Sequence, residues 1–398
     1  GAEPGPWDVP DADAGLYLHV PFCAAICPYC DFAVRTGNAA ERRDFAAALA
    51  AEAALIGAAG AGEGGFDTVY FGGGTPSALE PDLLGEIAGE LRRSLPVRAD
   101  ALWTLEANPE DVDAGRVDAW RGLGFRGVSL GVQSLDARRL RFLGRRHAPE
   151  QARAAVERCL EAGFDWVSAD LIYGLPAAVA REPEDSLRDA AAVAELGSPH
   201  VSAYQLTMEA GTPFGRRAAA GSLVELEEGT QAETLLAVRR LLRAVGLQPY
   251  EVSNFARTPS DRSRHNRKYW RRIPYLGLGP SAHSLARGRR WWNERDWRRW
   301  RDRVAAGERP VAGMEVLAPD QEALEDLLLG LRLVEGLDLA AFSARHGADL
   351  EAANGPLLAC WQSQGLATVA AGRLRLQDRG LVLAEGLAAQ LELARVGG

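Results

Sequence analysis

LHVPFCAAICPYCDF, residues 18–32, sets Cys23, Cys27 and Cys30 in the spacing C-x3-C-x2-C directly after an apolar stretch that reads as a strand. Three thiolates this close point to a metal centre, and soft sulfur ligands suit an iron–sulfur cluster. A four-iron cube held by three protein ligands keeps one iron open for a small molecule. Two other readings stand beside it: three unrelated buried cysteines, or a structural zinc site completed by His19. Structural zinc usually takes four ligands, commonly from paired C-x2-C elements, and neither Cys159 nor Cys360 lies in a second such knuckle. Five cysteines in 398 residues are too sparse, and odd in number, for a disulfide framework. Cys159 and Cys360 read as core cysteines.

With 398 residues and 47% hydrophobic content, the chain suits one large domain and a smaller one with ample core. No uninterrupted apolar run reaches membrane-spanning length, and residues 1–13 are acidic and Pro/Gly-rich, which reads as a flexible tail. A cytoplasmic protein is expected. The net charge of −9 opposes nucleic-acid binding, yet residues 261–303 carry fourteen Lys/Arg against four Asp/Glu, leaving +10 there and −19 elsewhere. Such asymmetry points to a local anionic partner, namely a phosphate, a carboxylate-bearing ligand or a membrane surface, or else to a solvated basic face.

Short runs rich in Val, Tyr and Leu predict strands at 16–20, 68–71, 102–106, 127–132, 166–171, 200–206 and 248–252. Helical patterns lie between them at 40–57, 81–94, 111–123, 149–162, 184–196 and 227–246, several closing on a glycine. This alternation predicts an α/β fold with a parallel sheet, better matched by a partial or full (β/α) barrel over 14–305 than by a doubly wound sheet. No dinucleotide fingerprint or phosphate loop is present, so nucleotide hydrolysis is unsupported. Polar residues follow successive strands: the cysteines, then Gly72–Pro76, Glu106 and Asn108, Gln133, Asp170, and Tyr204 with Gln205. In a barrel those ends share one face, where sites are built. Any one of them alone reads as a turn or cap.

From about 312 to 398 the pattern changes to helices at 319–334, 338–345 and 349–364, a short strand pair within 366–376, and a final helix. A small winged-helix-like α+β accessory domain is expected. Its excess of acid over base argues against DNA binding.

The strings HVPFCAAICPYCDF, YFGGGTPS, TLEANPE, GVSLGVQS and DLIYGLP, in this order, resemble the radical SAM superfamily. The resemblance covers residue 15 to about 385, and falls in the branch holding oxygen-independent coproporphyrinogen oxidases and HemW-type heme chaperones. It implies a [4Fe-4S] cluster on Cys23, Cys27 and Cys30, with S-adenosylmethionine (SAM) chelating the open iron. Gly73 and Gly74 then let backbone approach the methionyl amino group, Glu106 meets the ribose hydroxyls or that amino group, and Arg145 the carboxylate. Gln133 and Asp170 add polar contacts, while Tyr17 and Tyr29 shield the cluster or pack on adenine.

Oxidases of this branch carry a further cysteine two residues after the third ligand; here that position is Phe32, as in the chaperones. HNRKYW, residues 265–270, resembles the chaperones' heme-associated motif. In that reading His265 ligates heme iron, Tyr269 and Trp270 cover the macrocycle, and Arg262, Arg264, Arg267, Arg271 or Arg272 meets the propionates. As a bare motif, a histidine in a basic loop is surface decoration. His283, in LGLGPSAHSL, is the competing histidine and reads as part of a tight structural turn, with a place in the pocket as the alternative. Trp297, Trp300 and Val304 have the spacing of a helix's buried face, with a peripheral contact at the inner face of the membrane as the alternative. The expected function is a heme chaperone that delivers heme to acceptor proteins, some of them membrane-bound. A radical SAM enzyme, acting through a 5′-deoxyadenosyl radical as a porphyrinogen oxidase or a methyltransferase, is the alternative, and a structural zinc protein a third.

Overall fold

The computed structural model describes residues 13–60 and 64–393, so the expected tail, Asp13 apart, lies outside the described residues. Six strands run parallel in chain order: β1 (Ala14–Val20), β2 (Phe66–Gly73), β3 (Val97–Ala107), β4 (Gly127–Gln133), β5 (Trp166–Tyr173) and β6 (His200–Gln205). Their continuous apolar runs follow from burial on both faces, β2 being buried over seven of its eight residues. Helices join them, beginning with Ala39–Ala58, whose start is fixed by reciprocal bonds of 3.0 Å between Asn38 and Glu41.

The expected strand at 248–252 is cut short. Only Gln248–Pro249 (β7) is extended, and it returns as an antiparallel β8 (Asn254–Ala256) on the edge of β6. Buried Glu251 makes the bend, accepting bonds from the Ser253 amide at 2.7 Å and the Asn254 side chain at 2.6 Å. On the other side β9 (Tyr275–Leu278) adds parallel to β1, followed by antiparallel β10 (His283–Ala286), β11 (Arg289–Asn293) and β12 (Val311–Val316). The order β12-β11-β10-β9-β1-β2-β3-β4-β5-β6-β8-β7 leaves two edges, so the architecture is a partial barrel.

The C-terminal unit holds helices Pro319–Arg332, Leu339–His346 and Leu350–Ser363 around a small sheet of β13 (Leu337–Asp338), β14 (Ala367–Ala370) and β15 (Arg373–Leu376), in a winged-helix-like arrangement. Its core gathers Leu327, Leu331, Trp361 and Leu374. Ion pairs dock it to the sheet domain: Arg272 fans onto Glu322 (3.5 Å), Glu325 (3.3 Å) and Asp326 (3.1 Å), and Arg271 pairs with Glu335.

Two expectations change here. Arg271 and Arg272 are engaged by the acidic C-terminal unit and Arg264 by Asp67 at 3.1 Å, so these cations are not waiting for propionates. Cys360 is exposed on a helix and is not a core residue, whereas Cys159 is buried. Trp297, Trp300 and Val304 are buried as their spacing predicts, both indoles packing on Phe45, so these three side chains are not free for a membrane contact. No helix among the described residues is long and apolar enough to cross a membrane.

Candidate functional site

The cysteines occupy the loop between β1 and the Ala39–Ala58 helix, at the carboxyl edge of the sheet, and all three are partly buried. His19, the candidate zinc ligand, is engaged elsewhere. Its Nε2 lies 3.1 Å from the Ala33 carbonyl and its Nδ1 3.3 Å from the Tyr17 hydroxyl, tying the far end of the loop back to β1. Thr75, in the turn after β2, donates its hydroxyl to Cys23 Sγ at 3.4 Å, and Arg145 reaches Cys27 Sγ at 3.6 Å. Burial pushes the Cys23 thiol up to about 11 and raises Cys30 as well, so both are protonated until a metal displaces the protons. Among the described residues no three potential ligands converge on one point. A single ion needs such convergence; a cube whose ligands bind separate irons does not.

Around this loop the strand ends assemble. Glu106, closing β3, accepts from the Tyr70 hydroxyl at 2.9 Å and the Gly73 amide at 3.1 Å. Burial, with the charge of Asp170 adding to it, lifts its pKa to about 7. Asp170 is raised by burial too, though the Ser129 and Ser168 hydroxyls donate to it at 3.0 and 3.2 Å. Arg145 bonds the Asn108 side chain and the Gly131 carbonyl, bridging β3, β4 and the cysteine loop. Gln133 ends β4 at φ 63, a left-handed conformation costing a non-glycine residue roughly 1–3 kcal/mol. This turns the chain so that its amide nitrogen lies 3.1 Å from where a Gly131 side chain would begin, beside Arg145.

Gly73 and Gly74 have a packing reason that sequence alone did not supply. Gly73 sits at φ 104, and a Cβ there would lie 2.5 Å from His19; one on Gly74 would lie 2.7 Å from the Val20 carbonyl. Tyr17 stacks on Tyr70 with ring centres 6.3 Å apart, and Tyr29 packs on Phe214 at 6.5 Å, beside Cys27 and Arg145.

The HNRKYW segment divides. His265 is buried behind the strand ends, with Nδ1 held by Thr68 at 2.9 Å and Nε2 by Tyr269 at 2.8 Å, and burial pushes its pKa down to about 3. In this geometry neither nitrogen is free and the ring is enclosed, an arrangement that does not favour His265 as an iron ligand. Tyr269 does reach the face, lining a cavity of about 340 Å³ with Tyr17, Phe32 and His283. Trp270 turns away toward the C-terminal unit, under the Arg332 guanidinium at 4.9 Å. The smaller cavity abuts an open groove of about 1010 Å³ walled by Tyr275, His283, Trp292, Arg295 and Arg299. His283, at the start of β10, is thus part of the cavity wall, the alternative of its two readings.

Sequence reasoning missed Glu52. It lies on the apolar face of its helix with Phe45, Leu49 and Ile56, a spacing that marks a carboxylate placed among core positions. It accepts from the Gly279 amide (2.8 Å), Asn293 (2.7 Å) and the Trp300 indole (3.2 Å), pinning both ends of the β10–β11 hairpin.

A partial barrel with a three-cysteine loop after β1 and polar groups at successive strand ends is the architecture of a radical SAM protein. The Radical SAM superfamily model matches residues 17–190, and that of the HemN C-terminal domain residues 317–383. The heme chaperone HemW of Mycobacterium tuberculosis is 38% identical over 388 residues, 96% of each chain, and that of Bacillus subtilis 30% over 336 residues, 84% of this chain and 87% of its own. The chain belongs to the HemW family. Among solved structures, coproporphyrinogen III oxidase HemN from Escherichia coli, a radical SAM enzyme, is similar in fold, with a TM-score of 0.81 at 22% identity over 96% of this chain and 90% of that one. Membership of the superfamily implies a [4Fe-4S] cluster and SAM. The donor set fits, with three soft thiols on one loop and buried carboxylates and a guanidinium around it.

Proposed function

We propose that this protein is a heme chaperone, which binds heme and passes it to acceptor proteins. Cys23, Cys27 and Cys30 hold the cluster. Tyr17, Tyr29, Gly73, Gly74, Glu106, Gln133, Arg145 and Asp170 form the SAM side of the site, where the cluster and SAM together supply one-electron chemistry. Within that arrangement Arg145 offers a cation to a carboxylate, and Glu106 and Asp170 offer acceptors in a water-poor setting. Of the heme motif, Tyr269 contributes its ring to the cargo side, with His265 fixing that ring from behind.

One observation carries the reading: the groove of about 1010 Å³ opens beside the cysteine loop, walled by aromatic rings and arginines. It stands at the upper end of the roughly 300–1,000 Å³ range of small-molecule and cofactor sites, and it is separate from the strand-end residues that surround SAM. The names of the HemW relatives support the same cargo.

Anaerobic reconstitution followed by parallel assays for heme binding, deoxyadenosine formation and coproporphyrinogen decarboxylation tests this. Stoichiometric heme without decarboxylation is expected. Decarboxylation by protein that binds no heme would establish the enzyme alternative instead.

A further inference from the structure

All six histidines lie among the described residues, and five have a ring nitrogen engaged. His19 bonds Tyr17 and Ala33, His147 the Val132 carbonyl, His200 Ser168 and Tyr250, His265 Thr68 and Tyr269, and His346 Asp326. His283 has no hydrogen-bond partner at either nitrogen among the described residues, and it is exposed. It stands where the large groove meets the smaller cavity beside the cysteine loop, and lines both.

Its position is built. The Ser284 hydroxyl accepts from the Gly277 amide at 2.9 Å, fixing the turn between β9 and β10. Glu52 clamps Gly279 in that turn and Asn293 at the end of β11, the two ends of the β10–β11 hairpin. His283 pairs across the hairpin with Trp292, the two rings stacked at 5.9 Å and 29°. This leaves an oriented imidazole beside a flat aromatic wall. Partial burial and the nearby Arg290 lower its pKa, which keeps a nitrogen lone pair available at neutral pH.

The charge around it is complementary to a dicarboxylate. The groove's own carboxylates are engaged: Glu294 with Arg303 at 3.3 Å, Glu315 with Arg290 at 3.1 Å, and Asp296 on the amides of Arg298 and Arg299 at 3.0 and 2.9 Å. Among the described residues Arg299 makes no ion pair, though its charge helps to hold the Asp296 carboxyl down, and Arg295 donates to the Asp31 carbonyl at 3.3 Å. Both are exposed. A neutral imidazole and two guanidiniums in one open groove match the iron and the propionates of a metalloporphyrin.

We propose that His283 is the axial ligand to heme iron, with the propionates on Arg295 and Arg299. This rests on the heme-chaperone reading and replaces His265 as the coordinating residue. The unprotonated ring nitrogen bonds the iron and displaces the water or hydroxide that hemin carries there, and His283 gives up no hydrogen bond within the protein to do so.

Titrating hemin into the full-length protein, with absorption and electron paramagnetic resonance as readouts, tests the assignment. His283→Ala is expected to shift the Soret band and weaken hemin binding by about tenfold or more, equivalent to roughly 1.4 kcal/mol per decade. Added imidazole should restore the band position. Arg299→Glu is expected to weaken binding while leaving the iron's spin state unchanged. Wild-type protein that binds no hemin removes the heme reading and this assignment with it. Hemin bound by wild type with an unaltered spectrum in His283→Ala overturns the assignment and leaves the heme reading standing. A spectral change confined to a folded His265→Gln variant also overturns it.

Discussion

His265 and Tyr269 share a hydrogen bond of 2.8 Å, one helical turn apart, and stand edge to face with ring centres 5.2 Å apart. The histidine is therefore committed inward and the tyrosine outward, toward the cavity beside the cysteine loop. Removing the hydroxyl in Tyr269→Phe strands a buried nitrogen, at a cost of about 1–3 kcal/mol. Urea denaturation of the purified protein should read that loss, and an unchanged midpoint would mean that the bond is not maintained in solution.

Cluster assembly should depend on three cysteines. Changing Cys23, Cys27 and Cys30 together to Ala is expected to abolish the broad iron–sulfur absorption and remove about four irons per chain. Cys159→Ala and Cys360→Ala should both retain it. Stoichiometric zinc with no cluster after anaerobic reconstitution would contradict this.

Arg145 touches the cysteine loop, β3 and β4 at once. Arg145→Ala should weaken SAM binding to the reconstituted protein by about 1–3 kcal/mol, the scale of a lost charged hydrogen bond, and Glu106→Ala and Asp170→Ala should act in the same direction. Isothermal titration with SAM measures it. Full affinity in all three variants would place SAM elsewhere.

Glu52 predicts a pH dependence. Burial lifts its pKa to about 7, well above the roughly 4.3 of an unfolded glutamate. The folded state thus holds this proton more tightly, and the associated stability is present in full below the unfolded value and lost as pH rises through about 7. Relative to Glu52→Gln, the wild type should lose stability between about pH 4.3 and 7. Thermal melts of both proteins across that interval should show the gap changing, and parallel curves would refute the shift.

Arg272 contacts three carboxylates of the Pro319–Arg332 helix. Arg272→Ala should loosen the C-terminal unit from the sheet domain, read as faster proteolysis between 305 and 319 with the cluster absorption retained. Unchanged cleavage would show that the remaining contacts suffice.

Much of this was legible in the chain. Strand ends ending in polar groups announced which face would carry the site, because strand direction and crossover handedness leave little choice once the alternation is read. The strands beyond 270 were not, since YLGL is short and RRWWN carries charges on the face that the groove leaves open. Periodicity cannot report which of two histidines is enclosed. Thr68, which holds Nδ1 of His265, lies 197 positions away, and no local pattern signals such a bond. The arginine island misled for a similar reason: its charge was legible, but the acidic helix that takes up Arg272 was visible only once the two units were docked.

The buried bonding described above inverts the customary order in which side chains titrate. Glu52 and Glu106 protonate at about 7, while His200 and His265 stay neutral down to about 3. Among these four groups, proton uptake near neutrality therefore belongs to the carboxyls, whose ionisation carries little heat, and not to the imidazoles, whose ionisation carries much more. A calorimeter run in two buffers of different ionisation enthalpy distinguishes the two kinds of proton without any substitution in the chain.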